Sequence, residues 1–310
     1  MFVRAGRNIH SARHNGSIER IYEVTMKKML WTFIAVFSIL AAGSVWAAEP
    51  QCTETYGTGP NTFSLATASP GELGLLKALG QAFSAKYGAV LCWVKAGSGE
   101  SMQLLKDKKV DMIMVHAPAA EKKAVADGWA DRRTLIGSNE FFIVGPPDDP
   151  ANISEATSAA DAYGRIAKTG AKFFSRGDNS GTHKKELAIW EKSGLTPSGE
   201  WYIVTKDFMT ATLRRANQEH GYFMTDSSTW AAEQKDVPGL KVLFKGDKYL
   251  VNTYHALCQP KGGTPGQELA SKFIDFVASD EGQEIMRDYG KERYGKGLYD
   301  DAEYAKKYDD

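Results

Sequence analysis

The sequence has 310 residues, of which 43% are hydrophobic and 25% are charged, so its composition is that of a folded globular protein and excludes a disordered one. Its 38 basic residues balance its 38 acidic residues. Residues 1–47 hold six Lys or Arg and two Asp or Glu, which leaves the rest of the chain with a net charge of about −4. Such a chain has no broad basic surface, so we expect no nucleic-acid partner and no anionic-lipid partner.

The N-terminal segment has the three parts of a secretory signal peptide. Lys27 and Lys28 precede an apolar run over 29–42, and small residues around Ala47 suit cleavage by signal peptidase. The apolar run is shorter than the roughly 20 residues that span a bilayer. We therefore predict a cleaved signal peptide over 26–47 and a periplasmic product.

Residues 1–25 lie upstream of this predicted signal. Signal peptides normally begin close to their basic residues, and Met26 stands directly before the two lysines. We interpret residues 1–25 as an extension from a misplaced start codon and predict no fold for them.

The cysteines and histidines give no support for a metal site or a disulfide scaffold. The three cysteines, Cys52, Cys92 and Cys258, are few and widely spaced, and the six histidines lack paired short spacings. Cys92 and Cys258 fall in apolar strand-like runs, so two buried thiols and one terminal thiol are favoured over a specific disulfide, which stays the alternative. We predict no metal and no cofactor.

From Phe63 onward, short apolar runs alternate with amphipathic stretches, a pattern typical of βαβ units and a largely parallel sheet. The predicted strands are 63–67, 90–94 and 111–115, and the predicted helices are 73–87 and 101–106.

Each of these three strands ends in a polar or glycine-containing loop. The loops cover 67–71, 95–101 and 116–121. The carboxyl ends of parallel strands share one edge of the sheet, where ligands bind in α/β proteins. We therefore expect the three loops to converge.

A second α/β run follows a strand over 140–147 that is stopped by prolines. Its predicted elements are helices at 156–169, 181–192 and 210–219, and strands at 171–175, 201–204, 221–226, 240–244 and 249–258, before a last helix over 265–289. The fold class predicted is α/β with two lobes joined by a two-strand hinge near residues 144 and 252. Lobe 1 comprises 60–144 and 253–310, and lobe 2 comprises 145–252.

The sharpest local signal is the run Ser175-Arg-Gly-Asp-Asn-Ser-Gly-Thr-His183 between a predicted strand and a predicted helix. A helix start rich in capping residues offers free backbone N–H groups and the positive end of the helix dipole to an anion. Gly181 lets a ligand approach the backbone, and Arg176 supplies a fixed charge with planar donors. The alternative is an ordinary capped strand-to-helix turn.

Asp178 and His116 each have two alternative roles near the predicted anion site. A carboxylate repels a deprotonated oxyanion, so Asp178 is predicted to pair with Arg176 or to cap the helix. His116, at a strand end, is either a ligand group or a histidine satisfied by a backbone carbonyl. No nucleophile with a base at a telling spacing appears, so we predict a protein that is not an enzyme.

Several segments resemble those of the tungstate-binding proteins of ABC transporters. The similar segments are Ser175–His183, Met114–Glu121, Phe142–Pro150, Trp201–Tyr202 and Tyr222–Asp226, and they follow the family's order over about 62–295. The Arg-Gly-Asp-x-Ser-Gly-Thr-His run is the most discriminating. The resemblance implies a type II periplasmic binding fold that captures a small oxyanion, and an ABC permease as partner. We also expect a monomer.

The ligand residues implied by the resemblance and by the loops lie in three groups. They are Thr67 and Ser69, then Gly97, Ser98, Gly99 and His116, then Arg176, Ser180, Gly181 and Thr182. Two departures from the family put the anion's identity in question: the first loop is poorer in hydroxyls and carries Glu72, and Ser227 stands where the family tends to have arginine. A carrier for a small organic anion or aromatic solute, and a sensor subunit for a membrane receptor, stay as alternatives.

Overall fold

The computed structural model describes residues 50–309. The predicted signal peptide over 26–47 and the predicted extension over 1–25 lie outside the described residues. Among residues 50–309, no helix has both the length and the apolar character needed to cross a membrane.

The described chain alternates strands and helices, and the predicted mixed α/β class is confirmed. The strands are β1 (Glu54–Tyr56), β2 (Asn61–Thr67), β3 (Ala89–Lys95), β4 (Met112–Val115), β5 (Asp131–Gly145), β6 (Phe173–Ser175), β7 (Tyr202–Val204), β8 (Tyr222–Asp226), β9 (Lys241–Phe244), β10 (Val251–Cys258) and β11 (Asp300–Asp301). The helices are α1 (Ser69–Glu72), α2 (Leu75–Tyr87), α3 (Ser98–Lys106), α4 (Pro118–Ala126), α5 (Ala159–Thr169), α6 (Gly181–Lys192), α7 (Met209–Gln218), α8 (Ser227–Glu233), α9 (Gln267–Ala278), α10 (Asp280–Asp288), α11 (Lys291–Tyr294) and α12 (Ala302–Ala305).

The strands follow the order β1-β3-β2-β4-β10-β5-β8-β6-β7, with β9 and β11 paired to β5. At one end β2 runs parallel to β3 and β4, and at the other end β6 runs parallel to β7 and β8. Two antiparallel strands, β5 and β10, connect these parallel groups. The strand-end loops of each parallel group therefore share an edge.

The hydrophobic cores draw on different parts of the chain. One large core and a smaller one use residues between Tyr56 and Ile136 and between Tyr254 and Tyr299, with Ala231 added. Another core uses only residues between Phe141 and Leu250. We call these parts the first half and the second half of the protein. They correspond to the chain segments of the two predicted lobes, whose boundaries stay a prediction.

The strand predicted over 140–147 is longer than expected, because β5 begins at Asp131. Residues 131–140 pair with β10, and Phe141 to Val144 pair with β8. The N-terminal part of β5 is polar and lacks a clear alternation, so its strand character comes from pairing with β10 and not from local pattern.

The favoured prediction of free thiols is wrong for two of the three cysteines. Cys52 and Cys92 form a disulfide, with 5.3 Å between their Cα atoms, whereas Cys258 is free and buried. The physical reason is β1, a short strand that the sequence pattern did not predict. It pairs antiparallel with β3 and carries Cys52 to the strand that holds Cys92. An oxidised pair agrees with an exported protein.

The helix predicted over 265–289 is two helices, α9 and α10, divided at Ser279. The Ser279 side chain accepts a hydrogen bond from the Gly282 N–H at 3.4 Å and caps α10. Acidic residues in the first turn of α10, Asp280 and Glu281, suit a helix start.

Candidate anion-binding site

A tight loop brings Arg176 and the start of α6 together. Gly177 has a left-handed backbone, φ 61°, and a Cβ there would lie 2.2 Å from the Val204 side chain, so only glycine fits. Asp178 Oδ1 accepts from the Ser180 N–H at 3.1 Å, and Ser180 Oγ accepts from the His183 N–H at 3.2 Å. The helix start is thus capped by its own loop, as the sequence predicted.

A buried carboxyl helps to anchor α6 in the second half. Tyr202 donates its hydroxyl proton to Glu186 Oε1 at 2.7 Å, and Trp190 Nε1 donates to the same oxygen at 3.2 Å. Burial raises the pKa of Glu186 to about 7, against the opposing effect of these hydrogen bonds. The first turn of α6 is therefore held by packing behind it and faces the first half.

Arg176 is an almost fully buried cation, with 2% of its side chain exposed. Its Nη2 and Nε lie 2.5 and 3.1 Å from Asp178 Oδ2, and Nε also donates to the Asp207 carbonyl at 3.2 Å. Of the two alternatives predicted for Asp178, the structure shows the pairing with Arg176, whereas Ser180 is the residue that caps α6. None of these contacts uses Nη1, so the guanidinium keeps donor capacity for a ligand.

Loops of the first half meet this helix start at three points. A Cβ on Gly97 would lie 3.4 Å from Ser180 Cβ, and one on Gly99 would lie 2.4 Å from the Asn179 carbonyl oxygen. A Cβ on Gly181 would lie 2.4 Å from the His116 ring. Of the three loops expected to converge, 95–101 and 116–121 meet the α6 start, with glycine at each close approach, whereas Thr67 of the first loop bonds to Met114 at the end of β4.

The predicted hydroxyl groups differ in what they can offer an anion. Thr67 Oγ1 donates its proton to the Met114 carbonyl at 2.8 Å, so that proton is already used within the first half. Ser98 Oγ and Ser180 Oγ each accept a backbone N–H, which leaves their own protons available. Ser69 and Thr182 are also buried, with 6% and 2% exposure.

His116 contributes a neutral ring at the junction of the two halves. Burial and then the positive charge of Arg176 lower its pKa to about 3. The ring lies 4.9 Å from the Tyr254 ring, and its buried Nδ1 has no hydrogen-bond partner within residues 50–309. The structure therefore shows no backbone carbonyl bonded to Nδ1, and this buried ring nitrogen lies against Gly181 at the α6 start.

A cavity of about 270 Å³ adjoins this junction. His116 and Gly181 line it on one side, and Lys184, Lys185 and Tyr249 line it on another. Burial lowers the pKa of Lys184, and Lys185 donates to the Tyr249 carbonyl at 3.0 Å. The two lysines add positive potential beside the helix start.

Sequence reasoning missed four residues near the site: Lys95, Lys184, Asp207 and Phe208. Lys95 had a usable signal, because it directly follows the predicted strand 90–94 and begins the second loop. Asp207 and Phe208 follow β7 in a segment with no motif, so only the fold brings them to Arg176.

The chain is similar in sequence to proteins that are named as anion-binding proteins. The model of the PBP superfamily domain matches residues 53–281. A protein of Haloferax volcanii assigned as an ABC transporter anion-binding protein is 39% identical over 230 residues, 72% of this chain and 67% of that protein. The tungstate-binding protein TupA of Peptoclostridium acidaminophilum is 33% identical over 282 residues, 88% of this chain and 98% of that protein.

A solved structure agrees with these relatives. The tungstate ABC transporter structure from Geobacter sulfurreducens is 36% identical and superimposes with a TM-score of 0.68, covering 75% of this chain and all of that one. Two thirds or more of each relative is therefore covered at above 30% identity. The chain belongs to the PBP superfamily and, within it, to the family of ABC-transporter solute-binding proteins that includes TupA.

Proposed function

We propose that this protein is a periplasmic receptor that binds a small, fully deprotonated oxyanion, tungstate in the first place, and delivers it to an ABC permease without catalysing a reaction. One observation carries the proposal: the buried Arg176 lies in the loop that leads into α6, and glycine-containing loops of the first half meet the start of that helix. A fixed cation, a helix dipole and free hydroxyl protons on one small site suit an oxyanion.

Charge arrangement favours an anion that carries no proton. A protonated oxyanion such as hydrogen phosphate needs an acceptor for its proton. Asp178 is the carboxylate beside Arg176, but its Oδ2 already accepts a hydrogen bond from Arg176 and its Oδ1 accepts one from the Ser180 N–H. A ligand with only acceptor oxygens can accept from Arg176, the N–H groups of the α6 start and the free hydroxyl protons without needing an acceptor of its own.

Water exclusion strengthens these contacts. Arg176, Ser98, Ser180 and Thr182 are each less than 5% exposed. In such a low-dielectric setting, a charge-assisted hydrogen bond is stronger than in water. The contacts between the halves support a two-lobed receptor that closes over its ligand.

A panel of anions tests the proposal on the unmodified mature protein. At a ligand concentration 100 times Kd, binding stabilises the folded state by about 2.7 kcal/mol, which corresponds to a rise in Tm of about 5–10 °C for a chain of this size. We expect tungstate and molybdate to give such a shift and phosphate to give a much smaller one. A larger shift with phosphate, or a shift with carboxylates alone, would contradict the proposal.

Binding is expected to be insensitive to pH between 6 and 8 in a Glu186→Gln protein, which lacks the buried carboxyl behind α6 whose pKa is about 7. The pKa of His116 is about 3, far below this range, and burial also lowers the pKa of His183. The His116 ring therefore stays neutral, and the tungstate affinity should change by less than about twofold. Isothermal titration at pH 6, 7 and 8 measures this. If a ring gained a proton at pH 6, the added positive charge would tighten binding, so affinity that rises on acidification would refute the assignment.

A further inference from the structure

A second group of side chains joins the two halves beside the proposed anion site. Lys95, at the end of β3 in the first half, lies with its Nζ 4.3 Å from the centroid of the Phe208 ring in the second half. Arg176 Cζ lies 5.6 Å from the centroid of the same ring. Phe208 therefore contacts a cation from each half.

Each of these cations has its own carboxylate. Glu72 Oε1 lies 2.6 Å from Lys95 Nζ, and Asp178 pairs with Arg176. Without these partners two cations at one ring would repel each other. The negative charge of Glu72, which the sequence alone marks as unfavourable for an anion site, is thus neutralised within the first half.

Phe208 is also fixed relative to Arg176. The Asp207 carbonyl accepts from Arg176 Nε, and the Lys206 N–H donates to the Arg176 carbonyl at 2.8 Å. The ring therefore moves with Arg176 when the halves separate, whereas Lys95 and Glu72 move with the first half. Within this group of described side chains, the contact between Lys95 and Phe208 is the one that joins the two halves.

We infer that Lys95 and Phe208 are positioning residues that form a clasp across the cleft, keep water from Arg176 and set how long the bound oxyanion is retained. This inference rests on the proposed function. Cation–π contacts of partly desolvated lysines stabilise by amounts that correspond to about 3- to 30-fold in an equilibrium. The contact exists only when the halves are together, so its loss raises the dissociation rate and leaves the association rate nearly unchanged.

Stopped-flow tryptophan fluorescence with tungstate tests the clasp. We expect Lys95→Met and Phe208→Leu each to raise the dissociation rate by about 3- to 30-fold, with association rates within about twofold of the unmodified protein. The dissociation rate of the double variant should be no higher than that of the faster-dissociating single variant, because each single variant already loses the one contact between Lys95 and Phe208. Dissociation rates within twofold of the unmodified protein, or effects that multiply in the double variant, would overturn the inference.

Lys86→Met is the matched control. Lys86 makes the same kinds of contact, 2.8 Å to Glu281 and 5.9 Å to the Phe276 ring centroid, but entirely within the first half. Its replacement should leave the dissociation rate unchanged. An equal rise in Lys86→Met would show a general effect of losing a lysine and would overturn the clasp.

A ligand-free measurement separates failure of the clasp from failure of the proposed function. Spin labels on the exposed positions 122 and 192 report the distance between the halves by pulsed electron resonance. Lys95→Met and Phe208→Leu should shift this distribution to longer distances without any anion. If tungstate does not bind but the distances lengthen, the proposed function fails and the clasp stands; unchanged distances overturn the clasp.

Discussion

Tungstate affinity is expected to fall by about 10²- to 10⁴-fold when Arg176 is replaced by alanine. The variant removes the donors of a buried guanidinium, and each hydrogen bond to a charged group is worth about 1.5–3 kcal/mol, so the loss of two gives this range. It also leaves the carboxylate of Asp178 without its cation, which adds a negative charge beside the anion. Isothermal titration measures the affinity.

Three further variants separate the loss of the Arg176 donors from the unpaired Asp178 and from a general effect of removing an arginine. Arg176→Lys keeps the charge but not the planar fork, and should bind with intermediate affinity. Arg176→Ala with Asp178→Asn removes the unpaired carboxylate and should recover part of the loss if the protein is folded. Arg214→Ala, an exposed arginine 2.7 Å from Glu233, is the control and should bind normally. Normal affinity in a folded Arg176→Ala protein would refute the proposed site.

The position of the site follows from local patterns and one general property of parallel sheets. The run from Ser175 to His183 contains its own caps and turn glycine, so the α6 start is encoded within nine residues. The loops after β3 and β4 follow parallel strands on either side of β2, so they share an edge of the sheet. These two facts predict the meeting of Gly97 and His116 with the α6 start that the structure contains.

The disulfide could not be predicted in the same way. Its partners are 40 residues apart, and they meet because β1, three residues long, adds to β3. So short a strand has no periodicity to recognise, and its identity depends on the free edge of β3, a tertiary feature. The same holds for Asp131–Asn139, whose strand character depends on β10.

Glu72 shows how local reasoning misjudges a charge. Beside a predicted anion site, a carboxylate without a known partner is expected to repel the ligand. Its partner Lys95 lies 23 positions away and reaches it only because β2 and β3 are parallel neighbours. The net field at the site depends on such pairs, which a linear sequence does not show.

The first loop, which is poorer in hydroxyls than the loop of the family, has a structural role through Thr67. Thr67 donates its hydroxyl proton to the Met114 carbonyl, and its own carbonyl accepts from Trp93 Nε1 at 2.9 Å. This loop therefore serves to hold the ends of β2, β3 and β4 together. In the proposed site, the hydroxyls of Ser98 and Ser180 and the guanidinium of Arg176 keep donors that Thr67 does not.

Gly181→Ala is expected to weaken tungstate binding by about 5- to 150-fold while leaving the ligand-free protein stable. The new Cβ would lie 2.4–2.7 Å from three atoms of the His116 ring, too close for the two halves to meet as they do. Overpacking of this kind costs about 1–3 kcal/mol, and the cost falls only on the closed form. Isothermal titration gives the affinity, and thermal unfolding without ligand gives the stability.

The spatial cause can be separated from a general effect of alanine by two comparisons. Gly164→Ala adds a Cβ on α5 of the same half, where no atom lies within 4 Å, and should bind normally. Adding His116→Ala to Gly181→Ala removes the ring that the new Cβ would meet, so the double variant should bind more tightly than Gly181→Ala alone despite losing a second site residue. If Gly181→Ala bound as tightly as the unmodified protein, the close approach of α6 to His116 would not belong to the ligand-bound state, and closure over the anion would have to involve a different face of the helix.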